Sequence, residues 1–257
     1  MKLALHVRSG RPHIAAFAED LRREIGEAGG EVVGEGDRPD LILAVGGDGT
    51  MLGAASNALA WDVPVLGFNL GTLGFLARAE PTDMPAVVRR LMAGDFEVDE
   101  RLTVSADIGN GRQDGVNDVV VEKIDSTRLV SLRVLVDDSL LTTYRADGLI
   151  VATPTGSTAY SFSAGGPMVD PDVSALVLTP VAAHSLFDRP IVLPADSRIQ
   201  VTVQGDRPVR VNVDKTALGH LGDGGVVDIS AGSKPVRFVT FGPVGFPRLV
   251  REKFRLE

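Results

Sequence analysis

The segment Leu41-Ile-Leu-Ala-Val-Gly-Gly-Asp-Gly-Thr50 joins an unbroken apolar run to a glycine-rich turn. A continuous apolar run of this length is typical of a strand that is buried on both faces, as in a parallel sheet. Similar short runs lie at residues 2–7, 31–33 and 63–68, and helix-period segments lie at residues 12–28, 50–59 and 82–92. This alternation predicts a Rossmann-like α/β domain over residues 1–96.

The sequence changes character at about residue 97. From there to residue 234, short alternating strands such as 132–136, 198–203 and 209–213 are separated by Asp, Gly, Asn and Pro turns, which predicts an all-β sandwich. The tail, residues 235–257, begins as an apolar strand and ends as an amphipathic helix. We predict that this tail returns to the first domain.

Composition excludes several classes of function. With a net charge of -8 over 257 residues, the chain lacks the basic surplus that nucleic acids or anionic membranes require, so neither is expected as a partner. It contains no cysteine and only four scattered histidines, which excludes disulfides and argues against a protein-held metal site. The apolar runs are strand-sized, and the first residues do not form a signal segment, so we expect a cytoplasmic protein.

The glycine-rich turn at residues 46–50 is the first candidate site. Glycines between a strand and a helix let the backbone approach a ligand and direct N–H groups at phosphate oxygens. A carboxylate among phosphates is repelled unless it binds Mg²⁺ or accepts a proton from an attacking hydroxyl, so Asp48 is a candidate catalytic residue. The alternative is a plain tight turn in which Asp48 or Thr50 caps the helix.

A second candidate site is the hydroxyl-rich segment at residues 153–163. Short hydroxyl side chains can bond ribose, phosphate or base edges, and Tyr160 can stack on a ring, so the segment fits a nucleotide pocket. The alternative is a Ser/Thr-rich surface loop. A third motif, Asn117-Asp118 before a β-branched strand, fits a plain hairpin turn when it is considered alone. The hydroxyl-rich segment carries Thr153, Thr155, Ser157, Thr158, Tyr160, Ser161 and Ser163.

In the order Gly-Gly-Asp-Gly-Thr, Asn-Asp and Thr-Pro-Thr-Gly-Ser-Thr-Ala-Tyr, these motifs resemble the bacterial NAD kinase family over nearly the whole chain. The resemblance implies an N-terminal α/β domain, a C-terminal β-sandwich, a tail that returns to the first domain, and a homodimer or homotetramer. It also implies transfer of a phosphoryl group from ATP or polyphosphate to the 2′-hydroxyl of the adenosine ribose of NAD. The Mg²⁺ of this reaction would be carried by the phosphoryl donor.

The resemblance also assigns roles to single residues. Asp48 would be the general base, and the donor phosphates would lie around Gly46, Gly47, Gly49 and Thr50. Asn117 and Asp118 would hold ribose, the run 158–163 would line the adenine pocket, and Phe75 would form its aromatic wall. The full implied set of NAD contacts is Asp48, Gly49, Phe75, Asn117, Asp118, Arg128, Arg145, Asp147, Thr155, Thr158, Ala159, Tyr160, Ser161, Ser163, Ala182 and Thr216.

The sequence departs from the family pattern at two positions. Asp118 stands where many relatives carry Glu, and Lys215 stands where the family usually has Gly. If the turn at Lys215 needs a positive φ, that residue is strained. Two rival functions remain open: a kinase of the same architecture for another nucleoside, a lipid or a sugar, and a non-catalytic dinucleotide sensor.

Overall fold

The apolar run that precedes the glycine-rich turn forms the buried centre of the first sheet. In the computed structural model this strand is Leu41–Gly46, and all six of its residues are buried. The structure describes residues 1–8, 10–34, 37–71, 74–76, 79–125, 127–185, 187–242 and 245–256. The chain divides into two compact units, Met1–Glu100 with Val236–Glu257, and Arg101–Pro235.

Strands and helices are numbered along the chain. The first unit is built from β1 (Lys2–Val7), α1 (Pro12–Glu27), β2 (Glu31–Val33), β3 (Leu41–Gly46), α2 (Asp48–Trp61), β4 (Val65–Asn69), α3 (Met84–Met92), β5 (Glu97–Arg101), β18 (Val236–Thr240) and α5 (Phe246–Phe254). The second contains β6 (Val104–Asp107), β7 (Arg112–Gly115), β8 (Asp118–Lys123), β9 (Val130–Val136), β10 (Ser139–Ala146), β11 (Gly148–Ala152), α4 (Tyr160–Ser163), β12 (Ala175–Val181), β13 (Ile191–Pro194), β14 (Ile199–Gln204), β15 (Val209–Val213), β16 (Thr216–Leu221) and β17 (Val226–Ala231).

The first unit has a six-stranded sheet in the order β2-β1-β3-β4-β18-β5. Strand β1 pairs in parallel with β2 and β3, and β4 pairs in parallel with β3 and β18. Helix α1 buries Ile14, Ala18, Leu21 and Ile25, which recur at the helical period along one face. The α/β prediction and the return of the tail are both confirmed.

The domain boundary differs from the predicted one. Strand β5 was assigned to the second domain but lies in the first sheet, so the boundaries at 96/97 and 234/235 move to 100/101 and 235/236. The sequence of β5, Glu-Val-Asp-Glu-Arg, is polar because this strand lies at the edge of the sheet, and a polar edge strand carries no signal of which sheet it joins.

The second unit is an antiparallel sandwich. Its two six-stranded sheets have the orders β10-β9-β14-β17-β6-β7 and β13-β12-β11-β8-β15-β16. Inward residues of both sheets, such as Leu132, Val201, Val121 and Leu149, share one buried core. Part of the outer face of the second sheet is also buried, because Ala164 and Val169 pack there against an apolar cluster. The hydroxyl-rich segment is thereby anchored beside β8 and β11.

No helix among the described residues is long and apolar enough to cross a membrane.

Candidate active site

The predicted catalytic carboxylate lies at the first residue of α2. The helix was predicted from about residue 50 but begins at Asp48, and Gly47, in an extended conformation, is its N-cap. A Cβ on Gly46 would collide with the Thr50 hydroxyl, so the turn requires glycine there. The N–H groups of the first helical turn have no partner within a helix and therefore suit an anion.

A distant loop fixes the Asp48 carboxylate. Its Oδ2 accepts a hydrogen bond from the Phe75 N–H at 3.0 Å, and its Oδ1 accepts one from the Leu76 N–H at 3.2 Å. A Cβ on Gly74 would collide with the carboxylate. The side chain is therefore oriented by backbone donors that approach where no side chain fits. Sequence reasoning found Phe75 only through the family pattern and did not identify Gly74.

The tail helix packs against Phe75. The Phe75 ring is half-buried, with its centroid 6.4 Å from that of Phe246 and 5.9 Å from Lys253 Nζ. The returning tail thus supports the loop that orients Asp48. Nearby, buried Asn69 at the end of β4 accepts a hydrogen bond from the Gly71 N–H at 3.1 Å, and this residue was not predicted as part of the site.

In the second unit, the Asn117-Asp118 motif is held against the hydroxyl-rich segment. The Thr153 hydroxyl donates to the Val116 carbonyl at 2.7 Å, and the Thr153 N–H donates to the Asn117 carbonyl at 2.9 Å. A Cβ on Gly156 would collide with the Asn117 backbone. Two motifs that are separate in the sequence are therefore adjacent in the fold.

Most hydroxyls of this segment bond to the protein. Ser157 donates to the Pro154 carbonyl at 2.6 Å and accepts from the Val169 N–H at 2.9 Å, and fully buried Ser161 bonds to Thr179 at 2.9 Å. Thr155 is also buried. The Ser157 and Ser161 side chains therefore order the segment, although the family pattern implied ligand contacts for Thr155 and Ser161. The predicted ligand contacts of this segment that keep accessible surface are Thr158, Ala159, Tyr160 and Ser163.

Tyr160 lies among carboxylates. Partial burial, followed by the nearby charges of Glu122, Asp147 and Asp118, raises the pKa of its phenol above the ordinary value. The structure therefore brings together Tyr160, Asp118 and Asp147, three of the predicted contacts. Glu122 was not predicted, and it accepts hydrogen bonds from Arg210 and Asn212 at 2.9 Å each.

The predicted residues Asp147, Ala182 and Arg145 lie where β10 and β12 end and β11 begins. Asp147 forms an ion pair with Lys123 at 2.5 Å, and its N–H donates to the Val181 carbonyl at 2.9 Å. The next residue, Ala182, has a φ of 46°. Arg145 is exposed, and its backbone carbonyl accepts a hydrogen bond from the His184 N–H at 2.7 Å. Lys123 also lines a cavity of about 180 Å³ that includes Arg128 and Arg207.

The expected strain at Lys215 does not occur. The left-handed residue of the β15–β16 turn is Asp214, with a φ of 52°, and an Asp tolerates that conformation better than most residues. The neighbouring Thr216 is exposed at the start of β16.

Asp118 is the most perturbed acid of the site. Burial, and then the charge of Asp214, raise its pKa from 3.8 to about 7. Burial also raises the pKa of Asp214, while three backbone N–H donors and Lys215 oppose that shift. A buried carboxyl with so large a shift is typical of functional sites. Asp214 was not predicted as a site residue.

Among the described residues, no group of three or more His, Asp or Glu side chains is placed to hold a metal ion.

Together, the α/β unit with its glycine-rich turn and the β-sandwich with its hydroxyl-rich segment define a phosphotransferase with an alcohol as acceptor. Residues 34–96 match the model of the ATP-NAD kinase N-terminal domain, and residues 116–241 match that of the ATP-NAD kinase C-terminal domain. The chain therefore belongs to the NAD kinase family, and its activity is the phosphorylation of NAD.

Individual relatives agree with this assignment. The chain is 40% identical over 219 residues to the NAD kinase of Moorella thermoacetica, covering 83% of this chain and 70% of that one. It is 37% identical to the NAD kinase of Burkholderia orbicola, covering 95% and 89%. These matches do not favour a kinase for another nucleoside, a lipid or a sugar, or a non-catalytic sensor.

Two solved structures share the fold. One is the yeast NADH kinase complexed with NADH, at a TM-score of 0.88 and 24% identity, covering 100% of this chain and 88% of that one. The other is an NAD kinase from Archaeoglobus fulgidus in complex with ATP, at a TM-score of 0.79 and 24% identity, covering 100% and 97%.

Proposed function

We propose that Asp48 is the general base that removes the proton from the adenosine 2′-hydroxyl of NAD, with Mg-ATP as the phosphoryl donor. The observation that carries this proposal is the fixed Asp48 carboxylate: both of its oxygens accept backbone N–H bonds, at 3.0 and 3.2 Å, at the start of a helix that follows a buried strand. A fixed acceptor of this kind reduces the reorganisation needed for proton transfer.

The donor phosphates are expected at the start of α2. Gly46, Gly47, Gly49 and Thr50 surround this helix end, and Gly49 is exposed. The helix dipole favours the negative charge of phosphate oxygens at this end. ATP as donor is supported by the ATP named for the Archaeoglobus structure, and polyphosphate remains the predicted alternative.

The second unit is proposed to bind NAD. Asn117 and Asp118 would hold the ribose, and Tyr160 would stack on a ring, because its side chain is 41% exposed beside a rigid loop. Further proposed contacts, from the family pattern and their placement, are Phe75, Arg128, Arg145, Asp147, Thr155, Thr158, Ala159, Ser161, Ser163, Ala182 and Thr216.

The proposed reaction is a single displacement. The proton of the 2′-hydroxyl moves to Asp48, the ribose oxygen forms a bond to the γ-phosphorus, and the bond between that phosphorus and the β–γ bridging oxygen breaks, so that ADP leaves. A bound Mg²⁺ offsets phosphate charge in this class of reaction. The donor phosphates are the groups that would hold it, and Asp48 stays available to accept the proton.

The Asp48→Asn variant tests the general base. We expect NAD affinity to be retained and kcat to fall about 10²- to 10⁴-fold, because a positioned base contributes about that factor. Turnover would be measured as NADP formed from NAD and Mg-ATP, and NAD binding by calorimetry. Asp83→Asn is the matched control, since Asp83 lies at the N-cap of α3 in the same unit. Wild-type turnover in a folded Asp48→Asn protein would exclude the role.

The donor and the assembly can be measured on the same preparation. NADP formation with ATP or polyphosphate, each with and without Mg²⁺, identifies the donor and its cation requirement. We also propose a homodimer or homotetramer; the exposed Val192 of edge strand β13, at 52%, supports an interface, and light scattering would measure the mass. The cytoplasmic location stays a prediction.

A further inference from the structure

Every backbone polar group of the three residues 116–118 has a partner far away in the sequence. The N–H groups of Val116, Asn117 and Asp118 all donate to one side chain, that of Asp214, at 2.9, 2.7 and 3.2 Å. A carboxylate that accepts several N–H donors is a strong local restraint, because charge-assisted bonds exceed neutral ones in strength.

The carbonyls of the same three residues are also paired. Those of Val116 and Asn117 accept from Thr153, at 2.7 and 2.9 Å, and that of Asp118 accepts from the Asp214 N–H at 2.8 Å. Two residues thus make six hydrogen bonds to this segment. Its conformation at the start of β8 is consequently set by Thr153 on one side and Asp214 on the other.

Asp214 packs closely against the segment that precedes β8. Its left-handed backbone, with a φ of 52°, turns the carboxylate toward residues 116–118 from the β15–β16 turn. A Cβ on Gly115 would lie 2.6 Å from Val213 Cγ1 and 3.1 Å from Asp214 Oδ1. A side chain at position 115 would therefore push the carboxylate away from its donors.

We infer that Asp214 is the positioning residue of the NAD site: its carboxylate holds Asn117 and Asp118 in the conformation that binds ribose. The inference rests on the proposed role of those two residues and assigns to Asp214 no contact with substrate. It gives a function to an acid that the family pattern marks only as part of a turn.

The charge of Asp214 adds a second effect. It lies close enough to Asp118 to raise the pKa of that carboxyl, after burial, to about 7. Among the residues that the structure describes, two more titratable groups interact with the pair: Tyr160, whose phenol pKa is raised partly by Asp118, and Lys215, beside Asp214. Since a carboxylate accepts the hydrogen bonds of ribose hydroxyls, NAD binding should weaken as pH falls through this range.

The Asp214→Asn variant separates positioning from simple stability. An amide offers one acceptor oxygen to three donors and carries no charge. We expect KM for NAD to rise about tenfold at pH 8, on the scale of one lost charge-assisted hydrogen bond, with a smaller effect on kcat. The acidic limb of kcat/KM for NAD should also move to lower pH, because Asp118 then ionises more readily.

Asp137→Asn is a matched control. Asp137 is left-handed too, with a φ of 48°, and exchanges the same pair of bonds with Arg198: its Oδ1 accepts from the Arg198 N–H at 2.8 Å, and its N–H donates to the Arg198 carbonyl at 2.9 Å. No proposed NAD contact lies in that turn. Its loss should lower the melting temperature and leave the NAD KM and its pH profile at wild-type values.

The results separate the inference from the proposed function. If Asn117→Ala raises KM for NAD but Asp214→Asn behaves like Asp137→Asn, the positioning role is wrong and the ribose site stands. If Asn117→Ala leaves KM unchanged, the ribose site itself is wrong. Should Asp214→Asn fail to fold, hydrogen exchange on the wild-type protein decides: the N–H groups of residues 116–118 should be protected and slow further with NAD, and fast exchange would overturn the inference.

Discussion

Replacing Asp118 with Asn should stabilise the protein at alkaline pH while weakening its binding of NAD. In the folded protein the Asp118 pKa is about 7 against an ordinary value of 3.8, a difference of about 3 units. Each unit corresponds to about 1.4 kcal/mol. At a pH well above the folded-state pKa, ionised Asp118 therefore lowers the free energy of unfolding by about 4 kcal/mol.

The sign follows from which state holds the proton. Below about pH 4 the carboxyl is protonated in both states and contributes no pH dependence. Between about pH 4 and 7 the unfolded chain releases its proton while the folded protein retains it, so stability falls as pH rises. Above that range both states are ionised, and the loss is complete. The advantage of Asp118→Asn over wild type should therefore grow by about 2–3 kcal/mol from pH 5 to pH 8.

Urea unfolding at these two pH values measures the difference directly. Both tyrosines, Tyr144 and Tyr160, lie in the second unit and the single Trp61 lies in the first, so tyrosine near-UV dichroism follows the unit that carries Asp118. Comparing the two proteins at each pH cancels the titration of groups that do not interact with Asp118. An equal difference at pH 5 and pH 8 would show that Asp118 is not a buried acid of raised pKa, and the reasoning would be refuted.

Two further predictions concern the contacts that hold the sites. Gly74→Ala places a Cβ against the Asp48 carboxylate and should reduce kcat about 10²-fold, the cost of a misplacement near 1 Å. NAD binding, measured by calorimetry, should be unchanged. Wild-type kcat in the folded variant would contradict the contact. Thr153→Val removes the hydrogen bond that the Thr153 hydroxyl donates to the Val116 carbonyl at 2.7 Å and the one it accepts from the Gly156 N–H at 3.0 Å. The free energy of unfolding in urea should fall by about 2–4 kcal/mol, because two buried polar groups lose their partner. A decrease below about 0.5 kcal/mol would contradict this role of Thr153.

The sequence was sufficient for the elements that rest on local patterns. The apolar run before Gly46 predicted a buried strand, and the glycines around Asp48 predicted a turn at its end, because strand length and turn chemistry depend on a few neighbouring residues. Ligand binding at that turn stays a prediction. The alternating pattern after residue 97 predicted the sandwich for the same reason. The start of α2 was misjudged by two residues, since Asp48 is both a helix residue and the proposed base.

Contacts between residues far apart in the chain could not be predicted from the sequence. Asp214 bonds to Asp118 across 96 positions and Phe75 bonds to Asp48 across 27, and no local period encodes such a pairing. The burial of Ser161 was missed for a related reason: a short hydroxyl can serve a ligand or its own backbone equally well. Only the fold determines which of these partners is within reach.

At the pair formed by Asp118 and Asp214, the stability of the fold and the binding of NAD favour different residues. Two carboxyls within one partly buried cluster repel each other, and burial raises the pKa of both. A neutral residue of similar size in place of Asp118, with Asp214 kept, would be better for stability alone. A substitution at a merely structural acid should lower stability and leave NAD affinity intact, whereas Asp118→Asn should raise stability and reduce affinity. Opposite signs in these two measurements would identify Asp118 as an acid retained for substrate binding, at the expense of the folded state.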